Sequence, residues 1–210
     1  LLRPVLTAGA DFVSPAYARH PLDGPLVTQV VRPLFRTAFG ARLREPLAGE
    51  FACSGRFAAH CLTLQDWAND QLRVAIDLWL SAVAVSGSFR IAEARLGPRQ
   101  LASRPRPGIA DLVAQVLDAL FTCLRLQESA WTADGPAQPV AEFGEPRTTP
   151  PATTAVEIET EAVRYREGLA AFAPLLAGAL QGETLEALRE QAATEEMLSL
   201  IHISEPTRPY

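Results

Sequence analysis

The sequence contains no lysine, so arginine supplies all 19 positive charges against 24 acidic residues, and the net charge at neutral pH is −5. A nucleic-acid partner calls for a basic footprint, which this balance does not offer. Reliance on arginine alone points to a GC-rich coding origin rather than to a binding mode. Cysteine is scarce as well. The three present, Cys53, Cys61 and Cys123, are odd in number and lack the short Cys-x-x-Cys spacing of zinc sites. They are expected to be buried, reduced thiols of a cytoplasmic protein. No apolar run is long enough to cross a bilayer, since the longest, Ile76 to Val85, is interrupted by Asp77 and Ser81. No initiator Met opens the chain, which begins Leu1-Leu2-Arg3-Pro4 and reads as a piece of a longer protein. Residues 198–210 read as the translation of a sequencing-library adapter. They are set aside from the fold, which removes His202 from any count of ligands.

What is present suits a packed core: 48% hydrophobic residues with 20% charged. At 210 residues, one domain with an appendage is expected. Leu1 to Ala8 reads as the tail of a helix stopped by Gly9, and Asp11 to Tyr17 as a short strand. Val27, Val30, Val31, Leu34, Phe35 and Phe39 recur at helical spacing, with Gly40 as the stop and a kink expected at Pro33. Arg42 to Phe51 is rich in turn formers and is expected to include a short strand. Ser54 can cap a helix running to Leu62.

Asp70 to Val85 gives the strongest helical pattern. Asp70, Arg73, Asp77 and Ser81 fall in one narrow stripe, with apolar residues nearly everywhere else. Such a helix must be mostly buried, so its stripe faces a strip of solvent or an internal cleft. Ser88 to Leu96 reads as a strand, Leu101 to Gly108 as a Pro- and Arg-rich loop, and Ile109 to Leu126 as an amphipathic helix. That helix places Leu112, Val113, Val116, Leu117, Leu120, Phe121 and Leu124 on one face. The stretch from Ala133 to Thr154, rich in Pro, Gly and Thr, is expected to be linker or surface loop. Two terminal helices follow, the first divided or kinked at Pro174. Strand and helix alternate over the first hundred residues, so the fold class is α/β.

From Asp11 to Trp131 the chain resembles the C-terminal half of the catalytic domain in nucleotide-sugar glycosyltransferases of the GT-A fold, a Rossmann-like α/β architecture. It is most similar to the glucosyl-3-phosphoglycerate and mannosylglycerate synthases within the family 2-like transferases. The residues that carry the likeness are Asp11-Phe12-Val13 with Pro15 and Tyr17, Arg19-His20 with Asp23-Gly24, and Thr28 ahead of Arg32-Pro33-Leu34. Pro46-Leu47-Ala48-Gly49-Glu50, Ala75-Ile76-Asp77 and Leu96-Gly97-Pro98-Arg99 complete the series. The resemblance implies a glycosyltransferase domain over 1–131, beside which the residues themselves give a linker or surface loop over 132–154, a helical appendage over 155–197 and a non-native tail over 198–210. It also implies a nucleotide-sugar donor, a small acidic hydroxylated acceptor of the glycerate type, and a divalent metal, magnesium or manganese. An Asp-x-Asp motif would hold that metal against the donor diphosphate. The chain has no Asp-x-Asp. The motif would stand shortly before Leu1, so the chain is expected to be inactive alone. The family's metal-binding His falls at Leu101 here, so no metal ligand is assigned.

By the same resemblance, Thr28 would contact the acceptor's acid group. Leu47, Ala48 and Gly49 would present backbone groups to acceptor or sugar, and Glu50, Arg19 and His20 would line the same side. Asp77 matches an acidic position beside the acceptor hydroxyl: a general base if the reaction inverts, an orienting group if it retains. Each has a plainer reading. Asp77 could pair with Arg73 along its helix, Thr28 could be a helix-terminal hydroxyl, and Arg19-His20 a solvated loop pair. Glu50 could pair with Arg42 or Arg44, and His60 sits as a core or boundary residue. The rival reading for the whole chain is a non-catalytic helical protein-interaction module whose polar stripe meets a partner.

Overall fold

A computed structural model describes residues 1–19, 24–98, 109–132, 139–146 and 158–193. His20, Asp23, Arg99, Leu101 and residues 198–210 lie outside them. The chain divides into two compact units, Leu1–Pro151 and Ala152–Tyr210.

The first unit is built on a four-stranded mixed sheet in the order β2-β1-β3-β4, formed by Ala52–Cys53, Phe12–Ala18, Ile91–Pro98 and Ala141–Phe143. The strands β1, β3 and β4 are parallel, and β2 runs antiparallel to β1. The chain is therefore α/β in class. The helix α1 (Leu2–Ala8) precedes β1 and stops at Gly9, whose φ of 65° is easy for a residue without Cβ. The strand β2 pairs with β1 only at Phe12 and Val13, and Pro15, with no N–H to offer a ladder, lies just beyond.

Several sequence expectations are corrected. The helix over 26–39 changes type along its length: Leu26–Val31 is π-helical and runs into α2 (Arg32–Phe39). Pro33 cannot donate to the carbonyl four residues back, and the turn before it widens so that the Arg32 N–H reaches Val27 instead. The helix over 70–85 is two helices, α4 (Asp70–Arg73) and α5 (Ile76–Ser86), broken at Ala75, whose φ and ψ are −132° and 50°. The supposed loop over 133–154 contains β4, whose three residues are too few to show a period. The strand expected within 42–51 falls later, at β2.

The main core gathers Phe12, Val31, Phe35, Phe57, Leu72, Leu78, Trp79 and Ile91 with residues of α6 (Ile109–Leu126). On α6 the buried side is Val116, Ala119, Leu120 and Cys123, whereas Phe121 points outward. A smaller cluster on the other face of the sheet joins Val13, Ala52, Ala92 and Ala94 with Leu1 and Val5 of α1. The three cysteines are free, and burial pushes the Cys61 and Cys123 thiols up to about 11 and 12.

Asp11 ties three elements at the amino end of the sheet. Its carboxylate accepts from Ser54 Oγ (2.9 Å), from the Arg90 N–H (3.0 Å) and from the Arg56 guanidinium. Ser54 in turn caps α3 (Gly55–Thr63), accepting the Phe57 N–H at 3.1 Å, as the sequence pattern required. The Arg56 contact, with help from the backbone and Ser54, holds the Asp11 carboxyl down at about 2.

The second unit consists of α8 (Ile158–Ala171), α9 (Ala173–Ala179) and α10 (Gly182–Ala193), with Pro174 in the first turn of α9 marking the division. Ala162 and Leu185 are buried, and Tyr165 donates to the Leu188 carbonyl at 3.2 Å.

Candidate functional site

The first turn of α5 carries Asp77, which is 7% exposed although it belongs to a residue class that rarely leaves water. Its carboxylate accepts the Gly49 N–H at 2.6 Å, and the amides of Leu78, Ala48 and Asp77 itself favour its charged form. Burial pushes the Asp77 carboxyl up, and the four amides oppose that displacement. One turn on, Ser81 donates to the Pro46 carbonyl at 3.1 Å. The stripe that the sequence places on 77 and 81 thus faces neither solvent nor an open cleft. It is a hydrogen-bonded seam that fastens the turn Pro46-Leu47-Ala48-Gly49-Glu50 onto α5.

Within that turn Ala48 is buried and Leu47 half-buried against the main core, while Gly49 and Glu50 are exposed. Gly49 has a φ of 81°, a left-handed conformation that a Cβ would strain. The turn therefore shows solvent its backbone at Gly49 and the Glu50 side chain, while Pro46 and Ala48 are buried. Arg73 does not pair with Asp77. It meets Asp70 at 3.1 Å, because the break at Ala75 separates their helices.

Arg19, at the end of β1, is buried against Glu45, which is itself 1% exposed, and bonds it through two nitrogens, one at 2.6 Å. Its guanidinium also sits 6.0 Å from the ring of Tyr17. Thr28 is half-buried in the π-helical turn, and its hydroxyl donates to the Gly24 carbonyl at 3.2 Å. Among the expected site residues, the structure joins Asp77, Ala48 and Gly49 directly. It sets Arg19 on Glu45, immediately before that turn.

Sequence reasoning missed a second polar group. Ser14, Glu93 and Glu142 are paired in register across β1, β3 and β4, so their side chains share one face of the sheet. Arg44 lies across that row. Its N–H donates to Glu93 at 2.5 Å, and its guanidinium reaches Glu93 at 2.8 Å and Glu142 at 2.7 Å. Arg95 bonds the other oxygen of Glu142, and Ser14 donates to the Glu45 carbonyl at 2.7 Å. Arg44 is thus held by Glu93 and Glu142 rather than by Glu50. Burial raises the Glu93 carboxyl to about 7, with the Arg44 amide and guanidinium opposing it. A polar residue at alternate strand positions was the available signal, but strand β4 had to be recognised before it could be used.

Compared with known proteins, the chain matches no family model and no curated sequence. Among the described residues, no three or more His, Cys, Asp or Glu side chains are grouped to hold a metal ion. Nor is any described helix long and apolar enough to cross a membrane.

Proposed function

We propose that the first unit forms the acceptor side of a nucleotide-sugar hexosyltransferase, acting on a small acidic, hydroxylated molecule such as glycerate or phosphoglycerate. The observation that supports this reading most is the Asp77–Gly49 bond. It unites two segments that the resemblance singles out separately and leaves the Gly49 backbone facing solvent, where a ligand can approach the main chain closely.

On this reading Asp77 is a positioning residue. A carboxylate already bonded by the amides of Ala48 and Gly49 holds the turn in the shape that meets the acceptor. Donor, metal and the Asp-x-Asp motif belong to residues outside this chain. The interaction-module reading keeps only Asp70 and Arg73 of its stripe as exposed surface, because Asp77 and Ser81 are buried and bonded to the turn.

The test is to read the coding frame upstream of Leu1. An Asp-x-Asp following an apolar strand within about thirty residues supports transfer, since one mean βα unit separates such elements. A frame without it removes the proposal. In an enzyme that carries both halves, Asp77→Asn should lower transfer; an unchanged rate would take Asp77 out of the mechanism.

A further inference from the structure

At the carboxyl ends of β1 and β3 the ladder is irregular. Ala16 pairs with Arg95 but Tyr17 with Gly97, so Leu96 is an extra residue that bulges from β3. A cleft of about 90 Å³ opens there, lined by Ala16, Tyr17, Ala18, Arg44, Arg95 and Gly97. That is room for one tetrahedral oxyanion or a few waters, at roughly 30 Å³ each. The carboxyl edge of parallel strands is also where open α/β sheets take their ligands.

Both cations of the cleft are held by one carboxylate. Glu142, on the three-residue edge strand β4, gives one oxygen to Arg44 and the other to Arg95. The side chains of Arg44, Arg95 and Glu142 are 39%, 31% and 37% exposed, so the bridge is partly in water. Ion pairs of that exposure contribute little and exchange readily. Guanidinium forks, in contrast, match carboxylate and phosphate oxygens two at a time. Glu142 has the chemistry of the ligand such a pair would take from outside.

We propose that the cleft between the ends of β1 and β3 is an oxyanion site for a phosphate or carboxylate group, and that Glu142 engages its two guanidinium groups in the free protein. An incoming anion takes the place of Glu142 on Arg44 and Arg95 and frees the β4 side chain. Glu93 remains beneath, holding the Arg44 backbone and one of its guanidinium nitrogens, so Arg44 keeps its place during the exchange. The inference concerns this cleft alone and stands whether or not the chain belongs to a sugar transferase.

Titration of the whole chain with inorganic phosphate, followed by ³¹P line broadening and calorimetry, tests it. Acetate serves as the carboxylate probe in a second arm, and saturable binding of either anion identifies which source the site prefers. Removing the internal competitor with Glu142→Gln should tighten binding at least about fivefold, and Arg95→Gln should weaken it by a similar factor. A merely structural bridge gives the opposite result for Glu142→Gln, namely unchanged or weaker binding, and that outcome overturns the proposal. If Glu142→Gln loosens β4, Arg95→Gln still decides, because it leaves Glu142 paired with Arg44. Affinity in Arg95→Gln equal to that of the unaltered chain refutes the site.

Discussion

Replacing Asp77 by Ala removes the acceptor that the Gly49 and Ala48 amides share, and the magnitude of the loss follows from the geometry. A hydrogen bond to a charged group is worth about 1.5–3 kcal/mol, and an amide left buried without a partner costs about 1–3 kcal/mol. Gly49 is exposed and can turn to water; Ala48 is buried and cannot. Against these losses stands relief from burying a carboxylate, the effect that pushes the Asp77 carboxyl up. The net expectation is a loss of about 2 kcal/mol. For a unit of this size that lowers the melting temperature by about 4–8 °C. Asp77→Asn keeps an acceptor for Gly49 but loses the charge, so it should fall between the wild type and Asp77→Ala. Guanidinium unfolding gives the free energy, and amide exchange shows where it is lost. Protection should drop at Ala48 and Gly49 first and at β1 hardly at all. Unchanged protection at those two amides in Asp77→Ala would refute the fastening role, whatever the melting temperature does.

The buried carboxylate on β3 makes stability depend on pH. Because the folded Glu93 carboxyl rises from 4.5 to about 7, the folded chain keeps a proton that the unfolded chain has lost between those values. Stability must therefore fall as pH rises through that window, by up to about 3 kcal/mol. Glu93→Gln should flatten most of that slope in denaturation series taken from pH 4.5 to 7.5, and an identical slope in both proteins would contradict it. Ser54→Ala removes both the α3 cap and a bond to Asp11, and should cost about 1–2 kcal/mol by chemical denaturation. Ser86 Oγ is buried with no partner among the described residues. Ser86→Ala should consequently be neutral or stabilising by up to about 1 kcal/mol, and a loss above that would mean the hydroxyl is satisfied.

Local signals were readable wherever one residue decides the backbone. Gly9 and Gly40 end helices in left-handed conformations, Ser54 caps α3, and Pro174 divides the terminal helices, all as the sequence indicated. Periodicity was readable for α6 but overran at 70–85, where the apolar residues of α4 and α5 continue one helical pattern across the break at Ala75. A pattern of side chains carries no record of one misplaced backbone turn. The candidate site was legible only in part. Asp77 and the 46–50 turn could be picked out, but their bond joins residues 28 positions apart, and nothing local specifies it. The arginine–glutamate row was hidden for the same reason: Arg44 and Glu142 meet across 98 positions, through a strand of three residues in a Pro-rich stretch.

The account stands or falls on whether the turn pinned to α5 meets an acidic acceptor. An amide-resolved NMR titration of the chain with D-glycerate and 3-phosphoglycerate tests this directly. Saturable shifts at Leu47, Ala48, Gly49 and Thr28, sharing one dissociation constant, are the predicted result. Shifts confined to the Arg44–Arg95 cleft would leave the oxyanion site intact and contradict the acceptor reading, and the absence of shifts at the turn would contradict it equally.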